Sequence, residues 1–132
     1  MTTQTVLLSE RQEELLWSDN IAIVATVRQD GTPQLTPTWV DYDGEHVLIN
    51  TAEGRAKPRN LRRNPDVSVC VVDCEDPHNW VSITGTAELT HEEAEEHIHM
   101  LSRKYTGDDY PLKPDEERVI VNITPERMNP RS

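Results

Sequence analysis

The chain is 132 residues long and carries 24 acidic side chains against 13 Lys and Arg, a net charge of −11 at pH 7. So acidic a chain argues against general binding to nucleic acid or anionic membranes, which depends on neutralising phosphates, and its length suits one domain, residues 1–132, able to bury a core. No run approaches the ~20 apolar residues of a membrane span, and Met1–Glu10 lacks a basic-then-apolar leader, so the cytoplasm is the expected compartment.

Ser9-Glu-Arg-Gln12 has capping-box form and opens a short helix to about Trp17, with Leu8, Leu15, Leu16 and Trp17 as its apolar face. Ile21–Arg28 is a β-branched run, and Asp30-Gly31 is a hairpin signal. A second strand is expected over Gln34–Tyr42, with Thr36 and Thr38 on one face and Pro37 and Trp39 on the other. After Asp43-Gly44, His46–Thr51 makes a third strand, completing an antiparallel meander.

Pro58 suits the first turn of a two-turn helix, and Asn64-Pro65 closes it. Val67–Asp73 and Trp80–Leu89 read as strands, with Glu75–Asn79 as the loop between them. Cys70 and Cys74 sit four apart on one strand, too far to bridge, and read as buried or half-buried thiols. Thr90-His-Glu-Glu93 has capping-box form before a helix whose stripe is Ala94, Ile98, Leu101 and Tyr105. His91, His97 and His99 lack metal-ligand spacing and read as a solvated helix face, so no metal site is expected. Asp108–Glu117 is a polar excursion, Arg118–Thr124 a last strand, and the tail after Pro125 is expected to be loosely held. Six strands with short flanking helices suggest a mainly β, closed or nearly closed antiparallel barrel.

Arg55–Arg63 holds five of the 13 cationic side chains and none of the 24 acidic ones. A helix N-terminus offers free N–H groups and the positive end of the macrodipole, a natural phosphate seat. Thr51 can add a hydroxyl donor, Arg55 a bidentate contact and Lys57 a compact charge. Arg59, Arg62 and Arg63 share one helix face and extend the positive surface. The competing readings are a solvated face paired with carboxylates, worth little per pair, and a basic nucleic-acid helix, which the acidity of the remainder opposes.

Together, Ile23-Val-Ala-Thr-Val27, Asp30-Gly-Thr-Pro-Gln34, the run Thr51–Pro65 containing Arg55-Ala-Lys-Pro-Arg-Asn-Leu-Arg-Arg-Asn-Pro, and Val81-Ser-Ile-Thr-Gly-Thr-Ala-Glu-Leu89 resemble the flavin/deazaflavin split β-barrel superfamily, the pyridoxamine 5′-phosphate oxidase-like proteins. The basic motif is most similar to the branch described as F420-dependent oxidoreductases. The resemblance implies a six-stranded split barrel working as a homodimer, with cofactors in grooves at the dimer interface. It implies Thr36, Pro37, Thr38 and Trp39 along the ring system, Asn50, Thr51, Arg55, Ala56, Lys57 and Asn60 around the phosphate, and Trp80 as a wall from the other subunit. Two departures matter. An Ala56-Lys57 pair stands where the oxidases proper have Arg-Lys, and their C-terminal substrate section has no counterpart here, so vitamin B6 oxidation is not expected.

The longer basic surface favours coenzyme F420, whose tail is polyanionic, with FMN as the alternative. Hydride transfer is done by the cofactor ring, so no catalytic residue is named. The substrate is a small molecule of unread identity, and a non-catalytic cofactor carrier is the competing reading.

Overall fold

The computed structural model describes residues 6–129. Its elements are α1 (Glu10–Trp17), β1 (Ala22–Val27), β2 (Pro33–Thr38), β3 (Asp41–Tyr42), β4 (Val47–Ala52), α2 (Ala56–Arg63), β5 (Asp66–Asp73), β6 (Asp76–Thr90), α3 (Ala94–Thr106) and β7 (Arg118–Asn129). The strands form one antiparallel sheet in the order β2-β1-β5-β6-β7-β4-β3, curled into a half-barrel around a core that includes Val24, Ile49, Val69, Ile83 and Ile123. Among the described residues no helix is long and apolar enough to cross a membrane.

There are seven strands, not six. The segment expected as one strand, Gln34–Tyr42, breaks at Trp39-Val40, and its halves lie at opposite edges of the sheet. The break has a local cause. Val40 is fully buried, its N–H donates to the Tyr105 hydroxyl (3.1 Å), and its carbonyl accepts from Lys104 Nζ (2.7 Å). Side chains of α3 thus take the bonds that a neighbouring strand would have made.

Most of the expected hairpins and helix ends hold. Ser9 Oγ accepts from the Gln12 N–H (3.3 Å) while Gln12 Oε1 accepts from the Ser9 N–H (2.7 Å), closing the capping box of α1. Four other expectations are corrected. Thr90 pairs with Ile120 inside β6–β7, so it cannot cap α3; the helix starts instead from Glu93 in the left-handed region (φ 64°) with no side-chain cap. Glu75–Asn79 is not a loop, because Asp73 already pairs with Asp76 and the connection is a tight turn. Cys74 lies in that turn and is exposed, while Cys70 is half-buried; both are free thiols. The segment after Pro125 is strand: β7 runs to Asn129, which pairs with Ser82, and Met128 packs on the core. Residues 130–132 of that tail, and 1–5 of the leader reading, lie outside the described residues.

The length of β6 is accommodated by a register shift at Thr84/Gly85, where the β7 backbone comes so close that a Cβ on Gly85 would sit 2.0 Å from the Thr124 carbonyl oxygen. β4 is buried along its whole length. The core covers one face, and α3 covers the other through Ala94 and His97.

Candidate anion and ring cleft

The gap between β2 and the β4–α2 junction holds two hollows. The first, about 370 Å³, is lined by Ile21, Pro37, Thr38, Trp39, Asn50, Arg55, Ile98, Leu101, Tyr110 and Arg118. The second, about 460 Å³, is lined by Arg28, Gln29, Gln34, Ala56, Arg59, Asn60 and Arg63. Gln34, Thr36 and Thr38 share one face of β2, with Gln34 in the second hollow and Thr38 in the first. The sequence candidates Pro37, Thr38, Trp39, Asn50 and Arg55 therefore meet in one cleft, and Ala56 and Asn60 in its neighbour. Trp80 reaches neither hollow; it stands on β6 opposite Val72.

The β4–α2 junction has the properties of an anion seat. α2 begins with Arg55 as its N-cap, no side chain caps it, and no acidic residue occupies its first turn. Lys57 is half-buried and makes no ion pair among the described residues. Its burial, with the Arg55 guanidinium nearby, pulls its amine below the ordinary lysine value. The Thr51 hydroxyl is fully buried and has no hydrogen-bond partner among the described residues, and the Thr36 hydroxyl shares that condition. Buried hydroxyls are normally bonded, so the orphan on Thr51, at the end of β4 just before the uncapped, cationic start of α2, fits an anionic group supplied from outside the chain; Thr36, Thr51 and Lys57 themselves line neither hollow.

Two candidates are already satisfied internally. Asn60 Nδ2 donates to Thr26 Oγ1 (3.0 Å) and Gln34 Oε1 (3.1 Å), while its Oδ1 accepts from Arg63 (2.8 Å), so it latches α2 onto β1 and β2. Asn50 Nδ2 donates to the Ala94 carbonyl (2.9 Å) and faces His97 Nδ1 (3.1 Å), and its Oδ1 accepts from Arg118 Nε (2.9 Å). Of the arginines beyond the junction, Arg59 and Arg63 face the second hollow, but Arg62 is engaged bidentately by Glu53 (2.6 and 2.6 Å). That pairing, outweighing burial and helped by His91, holds the Glu53 carboxyl at about 2.

The sequence reading missed Arg118, Tyr110 and His97. Arg118 is buried, stacks over the Tyr110 ring (4.9 Å) and donates to Glu116 (2.6 Å). As the cation heading the apolar run Val119–Val121, it was visible in the sequence. His97 is not on a solvated face: it is buried, with Nε2 3.1 Å from Asp41 Oδ2. Burial pushes the Asp41 carboxyl up, but hydrogen bonds from His97 and the Tyr42 amide prevail and leave it below the ordinary value. Trp39 stacks on Tyr105 (5.4 Å) and meets Tyr110 edge-on (6.4 Å), which gives the cleft an aromatic end.

The curled antiparallel half-barrel is the split-barrel fold of a family whose members bind flavin-type cofactors. The chain belongs to the pyridoxamine 5′-phosphate oxidase family, whose sequence profile matches residues 8–131. Among solved structures it is similar to an F420 reductase, with 28% identity over 94% of this chain and 100% of that one (TM-score 0.84). It is also similar to the conserved hypothetical protein Rv2991 of Mycobacterium tuberculosis, with 27% identity over 97% and 86% of the two chains (TM-score 0.72). General Stress Protein 26 of Bacillus anthracis shares the fold at 18% identity, over 90% of this chain and 89% of that one (TM-score 0.72).

Proposed function

We propose that the protein is an oxidoreductase that binds coenzyme F420 in the β2–β4 cleft and works on a small organic acceptor in the cytoplasm. The observation that carries this reading is the orphaned, buried Thr51 hydroxyl beside the uncapped start of α2, where Lys57 has no ion-pair partner among the described residues. When bound, the cofactor supplies a ring that takes up or gives a hydride. Arg55, Lys57, the Thr51 hydroxyl and the first N–H groups of α2 hold its phosphate. Thr36 and Thr38 offer hydroxyls to the ring's polar edge, and Trp39 closes the cleft. Arg28, Arg59 and Arg63 line the adjoining hollow, which suits a polyanionic tail better than the single phosphate of FMN. The similarity to an F420 reductase supports the same choice.

The reading includes a homodimer. Ile23 and Leu35 are exposed by 40% and 64%. By the strand registers, Ile23, Leu35, Pro37, Cys70, Val72 and Trp80 lie on one outward face of the sheet. A second copy seated there would bring its own Trp80 toward the cleft at Pro37. The test is titration with F420 and FMN, followed by fluorescence and melting temperature. Tighter F420 binding is expected; micromolar FMN binding without F420 binding reverses the cofactor choice. A carrier rather than an enzyme would bind the cofactor but leave its reduced form stable across quinone and enone acceptors.

A further inference from the structure

Asn50 is the pivot of a buried chain of side chains that crosses the wall between α3 and the cleft. Arg118 Nε can only donate, and it donates to Asn50 Oδ1 (2.9 Å). The Ala94 carbonyl can only accept, and it accepts from Asn50 Nδ2 (2.9 Å). The amide is therefore oriented from two independent sides. The second Nδ2 proton faces His97 Nδ1 at 3.1 Å, so that nitrogen must be the acceptor. The ring proton then sits on Nε2, aimed at Asp41 Oδ2 (3.1 Å). The donor senses are thus fixed from Arg118 and the Ala94 carbonyl, through Asn50 and His97, to Asp41.

The consequence lies in the cleft. Both Asn50 amide protons are used internally, so toward the cleft Asn50 can only accept. Arg118 spends Nε on Asn50 and Nη1 on Glu116 (2.6 Å), which leaves Nη2 with no hydrogen bond among the described residues and the guanidinium in the cleft wall. His97, Asn50 and Arg118 are 6%, 7% and 6% exposed, so a lost link leaves a largely buried polar group without its partner. Without the His97 acceptor, one Asn50 amide proton is left buried and unsatisfied, and the NH₂ group is held by the Ala94 carbonyl alone, which loosens the Oδ1 that receives Arg118 Nε.

We propose that His97 is a positioning residue: acting through Asn50, it holds Arg118 as a fixed donor toward the anionic part of the cleft's ligand. This rests on the cofactor reading above, but its first test does not. In full-length protein labelled with ¹⁵N at His and Arg, His97 is expected to carry its proton on Nε2, and the Arg118 Nε–H to be protected from exchange. A proton on Nδ1 overturns the proposal and needs no variant to detect. In His97→Leu the Arg118 protection is expected to fall at least about tenfold, whereas His97→Asn, whose Oδ1 can replace Nδ1, retains it. Unchanged protection in His97→Leu overturns the proposal.

The second test uses FMN against riboflavin, which lacks the phosphate. A merely structural His97 would weaken both alike. Positioning of Arg118 predicts that the preference for FMN drops about tenfold in His97→Leu, the loss of one hydrogen bond, and returns in His97→Asn; an unchanged preference overturns the proposal. If the wild type binds neither F420 nor FMN, the proposed function fails, while the exchange measurement still decides the role of His97.

Discussion

Replacing Lys57 with Met should move stability and ligand affinity in opposite directions. The amine is half-buried, has no ion-pair partner among the described residues, and lies near Arg55. Burial, and after it the Arg55 charge, lowers its pKa in the folded state below the ordinary 10.5. The charged form is therefore penalised by folding. That penalty is fully present below the folded pKa and fades as pH rises from there toward 10.5, so the native chain gains stability across that alkaline window. Methionine keeps the stem's packing and removes the charge. At neutral pH the Lys57→Met melting temperature should equal or exceed the wild type, and the alkaline gain should disappear. Binding should behave otherwise. A charge-assisted hydrogen bond to phosphate contributes about 1.5–3 kcal/mol, which is roughly a 10- to 150-fold rise in Kd. The assays are differential scanning fluorimetry from pH 7 to 10.5 and fluorescence titration with F420 and FMN. A melting temperature several degrees below wild type would mean that Lys57 serves the fold. An unchanged Kd would mean that the phosphate seat is elsewhere.

Three further outcomes follow from the same geometry. Thr51→Val removes a buried hydroxyl that has no partner among the described residues, so the free protein should gain about 1 kcal/mol in urea unfolding while cofactor affinity falls; a loss of stability would show that the hydroxyl is bonded. Gly85→Ala places a Cβ 2.0 Å from a backbone oxygen and should destabilise by about 3 kcal/mol, read as a lower urea midpoint. Glu53, held at about 2 by Arg62 against its ordinary 4.5, contributes stability that is present above 4.5 and lost as pH falls toward 2. Glu53→Gln should flatten that arm of the acid-unfolding curve. The effect should stay within about 1 kcal/mol because Arg62 is half exposed.

What was legible in the sequence was whatever local chemistry decides. The α1 cap, the turns at Asp30-Gly31 and Asp43-Gly44, and the basic run at the start of α2 are properties of neighbouring residues, and each appears where the residues put it. Apart from the tight turn at Cys74-Glu75, the misses are non-local. Thr90 has the chemistry of a helix cap, but a partner strand thirty residues away claims it. Trp39-Val40 reads as mid-strand, and only α3, sixty-five residues on, makes a break there favourable. His97 looks solvated by composition because Asp41 and Asn50, which bury it, come from two other elements. The same limit applies within the site: Lys57 and Arg55 were readable as cations at a helix start, whereas the saturation of Asn50 and Asn60 was not, since it depends on Ala94, Arg118, Thr26 and Gln34.

The strand break and the cleft have one cause. A barrel closed by hydrogen bonds along all its strands would pair β2 with the opposite edge, β3 and the stretch of β4 that β3 leaves uncovered, and fill the gap between them. Here the chain itself crosses from edge to edge at Trp39-Val40, with Tyr105 and Lys104 holding the Val40 backbone and Lys104 also donating to the Leu16 carbonyl (2.9 Å). Two covalent residues thus do the work of a ladder, and the gap stays open along β2. Along that open edge Thr36 faces inward without a partner among the described residues, and Trp39 stands at one end of the slot, with α2 alongside. Sealing the barrel with a backbone ladder would fill that slot and leave the Thr36 and Thr51 hydroxyls as they are.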